Sequence, residues 1–349
     1  MSVYSIDPIS DARWHDFISS HPSASVFHSP GWLEALRRTY GYRLAVLTTS
    51  PSGNRLTSGL PICLLDNWIG DRLVSLPFSD HCEPLIDRPE DRAEILSHLN
   101  RGIERGSWRN VELRPATNNL LSEDEALDHL QPAHRFCFHT LDLTPPHEDL
   151  YQQLHHSCIR RAIRKAEREQ LEYRSGVSSS LLSDFYQLVR VTRRRHGLLP
   201  QPFAWFENVV ACLGDAVTIR VAAKGSRPIA AIMTLTFNRT MVYKYGCSDA
   251  RYHNLRAMAL LFWRAIEEAK QQGLKTFDLG RSDLDQPGLI AFKDRLGARR
   301  SMLTYYRQPG TTTRAIENRR SQQAARWLFG RLPDAALTLA GRLVYRHLG

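Results

Sequence analysis

The chain is 349 residues long, 42% hydrophobic and 23% charged, the profile of a soluble globular protein with room for two domains of ordinary size. Its formal net charge of +10, carried largely by arginine, points to an anionic partner (a phosphate-bearing substrate, nucleic acid or a membrane surface), with plain solubility as an equally good account. Six scattered cysteines without a C-x-x-C pair, 14 histidines without a metal-binding pattern, a polar start and no run of membrane-spanning length argue against a disulfide framework, a metal site, a signal peptide and a transmembrane helix, so a cytoplasmic protein with reduced thiols and no tightly bound cofactor is expected.

In chain order, residues 14–20 and 31–39 read as helices, and 43–49, 55–65 and 72–77 as strands. The loop 78–84 leads to a helix over 90–105 that stops at Gly106, then to a strand over 108–114, a polar stretch 116–132 and a strand over 135–142. A helical block follows. Residues 147–156 form one candidate helix and 157–169 a basic one, with Arg160, Arg161, Arg164, Lys165 and Arg168 against Glu167 and Glu169. Residues 181–196 and 203–212 complete the block. Strands over 217–224, 230–237 and 241–247 come next, followed by a helix with Asn254 as N-cap and Gly273 as stop. Its apolar residues Met258, Leu261, Phe262, Ala265, Ile266 and Ala269 recur at helical spacing. A strand over 276–279, a polar loop over 280–288, a helix over 289–296 and a strand over 301–306 end the second half.

Both halves thus read as three strands, a helix, a strand, an interval and a strand, which favours a structural duplication and an α/β fold. The expected domains are 1–145 and 146–309, the second carrying the basic helical segment, with a tail over 310–349. Seven arginines in that tail face only Glu317 and Asp334, interleaved with Trp327, Phe329, Leu332 and Leu343. It reads as a helix packed back on the second domain or, as the alternative, as a peripheral contact with an anionic membrane.

The strand order in each half resembles the GNAT acyltransferase fold, and two such units in tandem resemble the Fem-type aminoacyltransferases and the related FemAB-like, BioF2-type acetyltransferase domain proteins, including an exopolysaccharide-associated branch. The residues that carry the resemblance are Met241-Val242-Tyr243-Lys244-Tyr245-Gly246-Cys247, Phe277-Asp278-Leu279-Gly280-Arg281-Ser282 and Ala291-Phe292-Lys293-Asp294-Arg295-Leu296-Gly297. In the first half they are Leu76-Pro77-Phe78-Ser79-Asp80, and between the halves the basic run 159–166. The resemblance covers nearly the whole chain. It implies two tandem GNAT-like domains with a helical inter-domain segment, and transfer of an acetyl or aminoacyl group to an amine of a cell-envelope or exopolysaccharide precursor. The acceptor would be an anionic small molecule or a lipid-linked sugar. The co-substrate would be an acyl-CoA or an aminoacyl-tRNA, which makes tRNA a candidate partner. The competing reading is a non-catalytic module that binds an anionic glycan, a lipid-linked sugar or RNA.

N-acyl transfer needs a phosphate-binding surface, a group facing the oxyanion and a proton acceptor. Lys293 is the first candidate, since the resemblance implies a lysine there that stabilises substrate or transition state; a solvated surface lysine is the alternative. Asp80, beside His81 and Glu83, is the candidate proton acceptor or else a loop cap. Tyr243 and Tyr245, two apart on a strand, would share one face as core or as a substrate wall. Arg281, Ser282 and Asp283, just past a strand end, are substrate-binding candidates, with Asp283 alternatively capping the next turn. Arg160, Arg164 and Asn254 are the candidate donor and phosphate ligands, while Cys247 reads as an inert buried thiol. One departure stands out. The GNAT phosphate loop R/Q-x-x-G-x-G/A becomes Arg251-Tyr252-His253-Asn254-Leu255-Arg256, with side chains where glycines would bare the backbone N–H groups.

Overall fold

The first elements are set by local caps. The Asp11 carboxylate accepts the Arg13 N–H and starts α1 (Ala12–Ser20). Ser29 does the same for α2 (Pro30–Tyr40), which Gly41 ends at φ 70°. The computed structural model describes residues 2–65, 71–117, 130–308 and 345. Its described residues fall into two units, one holding those up to Phe136 with Met302–Gln308 and Tyr345, the other Cys137–Ser301.

The sheet of unit 1 is built from β1 (Tyr4–Ile6), β2 (Arg43–Thr48), β3 (Ser58–Leu65), β4 (Arg72–Val74), β6 (Asn110–Leu113) and the end of the last strand, β13 (Arg299–Gln308), in that order. The short β5 (Leu85–Ile86) pairs with β3. Among the described strands of this sheet only β4 and β6 run parallel, as the intervening helix α3 (Pro89–Glu104) requires. Ile95, Leu96 and Leu99 of α3 fill the core against Leu60, Leu73 and Val111.

β7 (Gln131–Asp142) leads into unit 2. There α4 (His147–Gln153) stands for the expected helix over 147–156, and a π turn (His156–Arg160) and α5 (Arg161–Arg168) replace the expected basic helix over 157–169, because the His155 carbonyl takes both the Ile159 and Arg160 N–H groups. β8 (Glu172–Gly176), too polar to be read from the sequence, is followed by α6 (Ser179–Arg195) and α7 (Phe203–Leu213). β9 (Val217–Lys224), β10 (Arg227–Phe237) and β11 (Thr240–Ser248) form the antiparallel meander. Asn254 is not the expected N-cap. It lies in a 3₁₀ turn (Ala250–Leu255) started by the Asp249 carboxylate, and α8 (Ala257–Gln271) begins after Arg256 at φ 61°.

β12 (Thr276–Asp283) runs four residues beyond the expected strand end and takes in Gly280, Arg281, Ser282 and Asp283. α9 (Pro287–Arg295) then leads to β13. The sheet order in this unit is β7-β12-β11-β10-β9-β8. Leu261, Phe262, Ala265 and Ile266 of α8 pack on Ile232, Met241, Phe277 and Leu279 in the main core. Beneath α8 the wholly buried Arg220 donates to Glu268, which also accepts the Tyr173 hydroxyl.

Among the described residues no helix is long and apolar enough to cross a membrane. The tail read as a membrane contact lies outside the described residues, apart from Tyr345, whose carbonyl accepts the Tyr42 hydroxyl at 3.3 Å.

Candidate active site

Two parallel strands in unit 2 part company. β11 and β12 pair at Thr240↔Thr276, Met241↔Phe277 and Val242↔Asp278, and both then run on past the last of their mutual pairs. At the same level β11 carries a β-bulge. Its partners on β10 shift between Thr234↔Tyr243 and Met233↔Tyr245, which leaves Lys244 as the extra residue. Such a bulge bends the strand and frees backbone groups from the ladder. It also changes the side-chain alternation, so the expected single aromatic face does not form. Tyr243 packs on Phe262 of α8 with ring centres 4.8 Å apart. Tyr245 turns the other way, onto Phe206 of α7 at 5.2 Å, and its hydroxyl accepts the Trp205 indole N–H at 2.8 Å.

Past the split, β12 is shaped by its own side chains. Gly280 sits at φ 71° and donates its N–H to the Asp278 carboxylate at 2.7 Å. Lys293 lies in the last turn of α9 and is 1% exposed, not the solvated surface lysine of the alternative reading. Its Nζ donates to the Gly280 and Arg281 carbonyls at 2.9 and 3.1 Å. Ser282 is buried with no hydrogen-bond partner for its hydroxyl, and Arg281 is half-buried. The Asp283 carboxylate accepts the Gln286 side chain at 2.9 Å, which closes the turn into α9.

At the end of β11, a cavity of about 630 Å³ opens around the first turn of α8. Arg161 and Lys165 of α5 form one wall, and Arg256 and Arg295 face it with Ser248 and His253. No acidic residue lines it, and among the described residues none of those four cations makes an ion pair. The first N–H groups of α8 have no side-chain cap. Unpaired helix N–H groups and unpaired cations together favour an anion. His253 completes the rim. Its Nε2 faces the Ser248 hydroxyl at 2.9 Å and the Arg195 guanidinium at 3.1 Å, so this nitrogen carries the lone pair. Burial first, then Arg195, lowers the imidazole's affinity for a proton.

The expected donor ligands fall elsewhere. Arg160 donates to Gln152 at 2.5 Å, Arg164 is not among the residues that line the cavity, and Asn254 is exposed outside the cavity wall. Arg161, next to Arg160, and Arg256, two residues past Asn254, line the cavity instead. Helical phase decides the first case, since Arg161 and Lys165 are one turn apart and Arg160 belongs to the π turn. Cys247 is buried, donates to the Phe185 carbonyl, and burial pushes its thiol up.

Unit 1 has the equivalent parallel pair, and here it is stitched together. Beyond Val74↔Glu112 the Ser75 N–H donates to the Glu112 carbonyl at 2.8 Å and the Ser75 hydroxyl accepts the Arg114 N–H at 2.9 Å. The Arg114 guanidinium reaches the Leu76 carbonyl at 2.8 Å, and the Cys82 N–H closes on the Arg114 carbonyl at 2.6 Å. Asp80 lies on this loop, half-buried, with its carbonyl accepting the Tyr305 hydroxyl at 2.6 Å. It belongs to unit 1, whereas every other candidate belongs to unit 2.

Residues 155–294 match the acetyltransferase (GNAT) domain family. No curated protein matches the sequence. Among solved structures, FemX superposes with a TM-score of 0.69 at 13% identity over 93% of this chain and 100% of its own. The C-terminal domain of a putative lysylphosphatidylglycerol synthetase from Agrobacterium fabrum gives 0.60 at 15% identity over 95% and 96%. A tandem GNAT protein from the clavulanic acid biosynthesis pathway gives 0.56 at 10% identity over 89% and 100%. At these identities the likeness is one of fold, and the fold is a pair of GNAT units in tandem.

Proposed function

We propose that this chain, a tandem GNAT-fold protein whose residues 155–294 are an acetyltransferase (GNAT) domain, is an N-acyltransferase with its donor site in unit 2. The observation that carries this is the cavity at the start of α8, walled by four cations that make no ion pair among the described residues, and adjoining the open stretch of β11. A phosphate-bearing donor would seat its anionic part there, with its acyl arm along the edge that β11 no longer shares with β12. An acceptor amine would attack the acyl carbonyl, forming the C–N bond. The bond to the donor's sulfur or oxygen then breaks, the leaving group takes a proton, and the amine's surplus proton passes to a base. Backbone N–H groups freed by the bulge at Lys244 would face the developing oxyanion. Asp80 enters as the base on its sequence position.

Two features bear on the donor. Arg161, Arg164, Lys165 and Arg168, with Glu167 as the one acid among them, line a second, shallower surface along α5. Arg256 keeps a side chain where a bare glycine loop would cradle a pyrophosphate. Both suit the phosphate backbone of an aminoacyl-tRNA better than an acyl-CoA. The acceptor is read as the amine of a cell-envelope or exopolysaccharide precursor, acylated in the cytoplasm.

Calorimetry against acetyl-CoA, charged tRNA and uncharged tRNA tests the donor, and acyl transfer to amino sugars tests the reaction. Preference for charged tRNA is expected. Tight binding of acetyl-CoA alone would move the reading to a small-acyl transferase. Binding of none, with no transfer, would overturn it in favour of a module that only holds anionic sugars.

A further inference from the structure

A glycine loop meets an anion with bare backbone N–H groups and is blind to whatever the anion is attached to. Here the turn Ala250–Leu255 and Arg256 meet the cavity with side chains instead, since Tyr252, His253 and Arg256 all line it. The turn is held from several directions. The Asp249 N–H donates to the Ile229 carbonyl of β10 at 2.9 Å, and the Asp249 carboxylate accepts the Arg251 N–H at 3.1 Å. The Tyr252 N–H closes on the Asp249 carbonyl at 3.1 Å. On the other side His253 Nε2 meets the Ser248 hydroxyl, and Thr192 of α6 grips the Ser248 backbone. The Thr192 hydroxyl accepts the Ser248 N–H at 2.8 Å and donates to the Ser248 carbonyl at 3.1 Å. A ligand would find these side chains already in place, which lowers the ordering cost of binding.

Tyr252 is the aromatic group among them. Its ring is only partly covered by the main core. The Arg227 guanidinium of β10 lies over it, 5.5 Å from the ring centre, and stands 3.9 Å from the Asp249 carboxylate. Arg227 is not among the residues that line the cavity, so it backs the ring from outside. Inside, the lining beyond the ring is short and apolar: Ala162 of α5, Ile229 and Ala230 of β10, and Ala257 and Ala259 of α8. Alanines leave a gap that a flat ring can fill. A cavity of about 630 Å³ that joins an aromatic ring and an apolar lining to four cations fits an anion carried on a flat ring better than a bare phosphate or a polar sugar. A nucleotide has that chemistry.

We propose that Tyr252 is a specificity-determining residue: it stacks the nucleobase next to the phosphate that Arg161, Lys165, Arg256 and Arg295 hold. A purine is preferred, because two fused rings cover more of the tyrosine than one. The inference rests on the reading of this cavity as the donor site, and both acyl-CoA and aminoacyl-tRNA present an adenosine beside a phosphate.

Calorimetry with inorganic pyrophosphate, ADP, UDP and glucose 1-phosphate tests it on the wild type and on Tyr252→Leu, Tyr252→Phe and Arg227→Gln. ADP should bind about tenfold or more tighter than pyrophosphate, the worth of one stacked base, with UDP between them. Tyr252→Leu should bring ADP to within about threefold of pyrophosphate and leave pyrophosphate where it was, which also reports an intact cavity. Its salt dependence should match the wild type, since no charge is lost. Tyr252→Phe should keep the preference, and Arg227→Gln should lower it in part. The RNA trinucleotide CCA and coenzyme A then distinguish the two sources of adenosine. Loss of affinity in Tyr252→Leu for either one upholds the stack and assigns the base to that donor. ADP no tighter than pyrophosphate would overturn the proposal while leaving the donor site standing. Equal weakening of both probes by Tyr252→Leu would do the same, because the tyrosine would then serve the phosphate site or the fold. Glucose 1-phosphate binding more tightly than ADP would overturn it in favour of an anionic sugar, and binding of no probe would end it together with the donor-site reading.

Discussion

Arg256 holds a conformation that suits glycine. A non-glycine residue at φ 61° costs about 1–2 kcal/mol, and its side chain lines the cavity. The strain and the ligand site therefore separate by mutation. Arg256→Gly should leave thermal stability equal or higher while weakening a phosphate-bearing donor about tenfold, the worth of one charge-assisted bond. Arg161→Ala and Lys165→Ala should weaken the donor similarly without the gain in stability, and all three should flatten its salt dependence in titrations. Two buried groups of unit 1 make a different prediction. Burial alone would raise the Glu112 carboxyl, but Arg114 and Arg307 outweigh it and hold it at about 2, against an ordinary 4.5. Its stabilisation is present above pH 4.5 and is lost as pH falls toward 2. Burial lowers His28 from 6.5 to about 4, so its contribution is present above pH 6.5 and lost on the way down to 4. Each is worth roughly 3 kcal/mol. Urea midpoints across pH should therefore fall in two overlapping stages, and His28→Gln should remove the upper one alone.

At the scale of elements, the bulge in β11 governs the site. It bends the strand at the level where pairing with β12 ends, and it sends Tyr243 and Tyr245 to different helices. Gly246 is part of the device, because any side chain there would overlap the Tyr243 hydroxyl. Gly246→Ala should lower stability by about 1–3 kcal/mol and depress transfer more than donor binding. Adding Tyr243→Phe should restore part of both, since the first atom struck is the hydroxyl oxygen; independent effects of the two changes on urea midpoint would contradict the overlap. The sequence could not reveal this bulge. Strand alternation through Tyr243, Tyr245 and Cys247 is unbroken in composition, and the irregularity depends on β10. The helix α8 was legible from its apolar spacing, but its start was not, because Asp249 starts a 3₁₀ turn that takes in Asn254 and α8 begins only after Arg256, without a side-chain cap. The same limit misdirected the cation choice on α5. Composition marks the helix as basic, whereas the π turn before it decides which arginines face inward.

Taken as a whole molecule, the chain uses one architecture twice and opens it once. In unit 2 the parallel strands separate after Val242↔Asp278, and a cationic cavity lies at the end of β11. In unit 1 the corresponding strands are held by Ser75, by the Arg114 guanidinium and by the Cys82 N–H, with Glu112 neutralising Arg114 at 2.8 Å. Those bonds occupy the backbone groups that an acyl arm would have to meet. The repeated strand–helix–strand order was readable from the sequence, but the asymmetry was not, because Ser75 and Arg114 lie far apart in the chain and neither belongs to a motif. The family match to residues 155–294 alone agrees with that asymmetry. Donor titration should accordingly give one site per chain. Arg161→Ala combined with Lys165→Ala should abolish that single isotherm rather than reveal a weaker second one. A residual site of ordinary affinity in the double variant would mean that the stitched strands of unit 1 can open, and exchange at the Arg114 and Cys82 amides on adding donor would then report it.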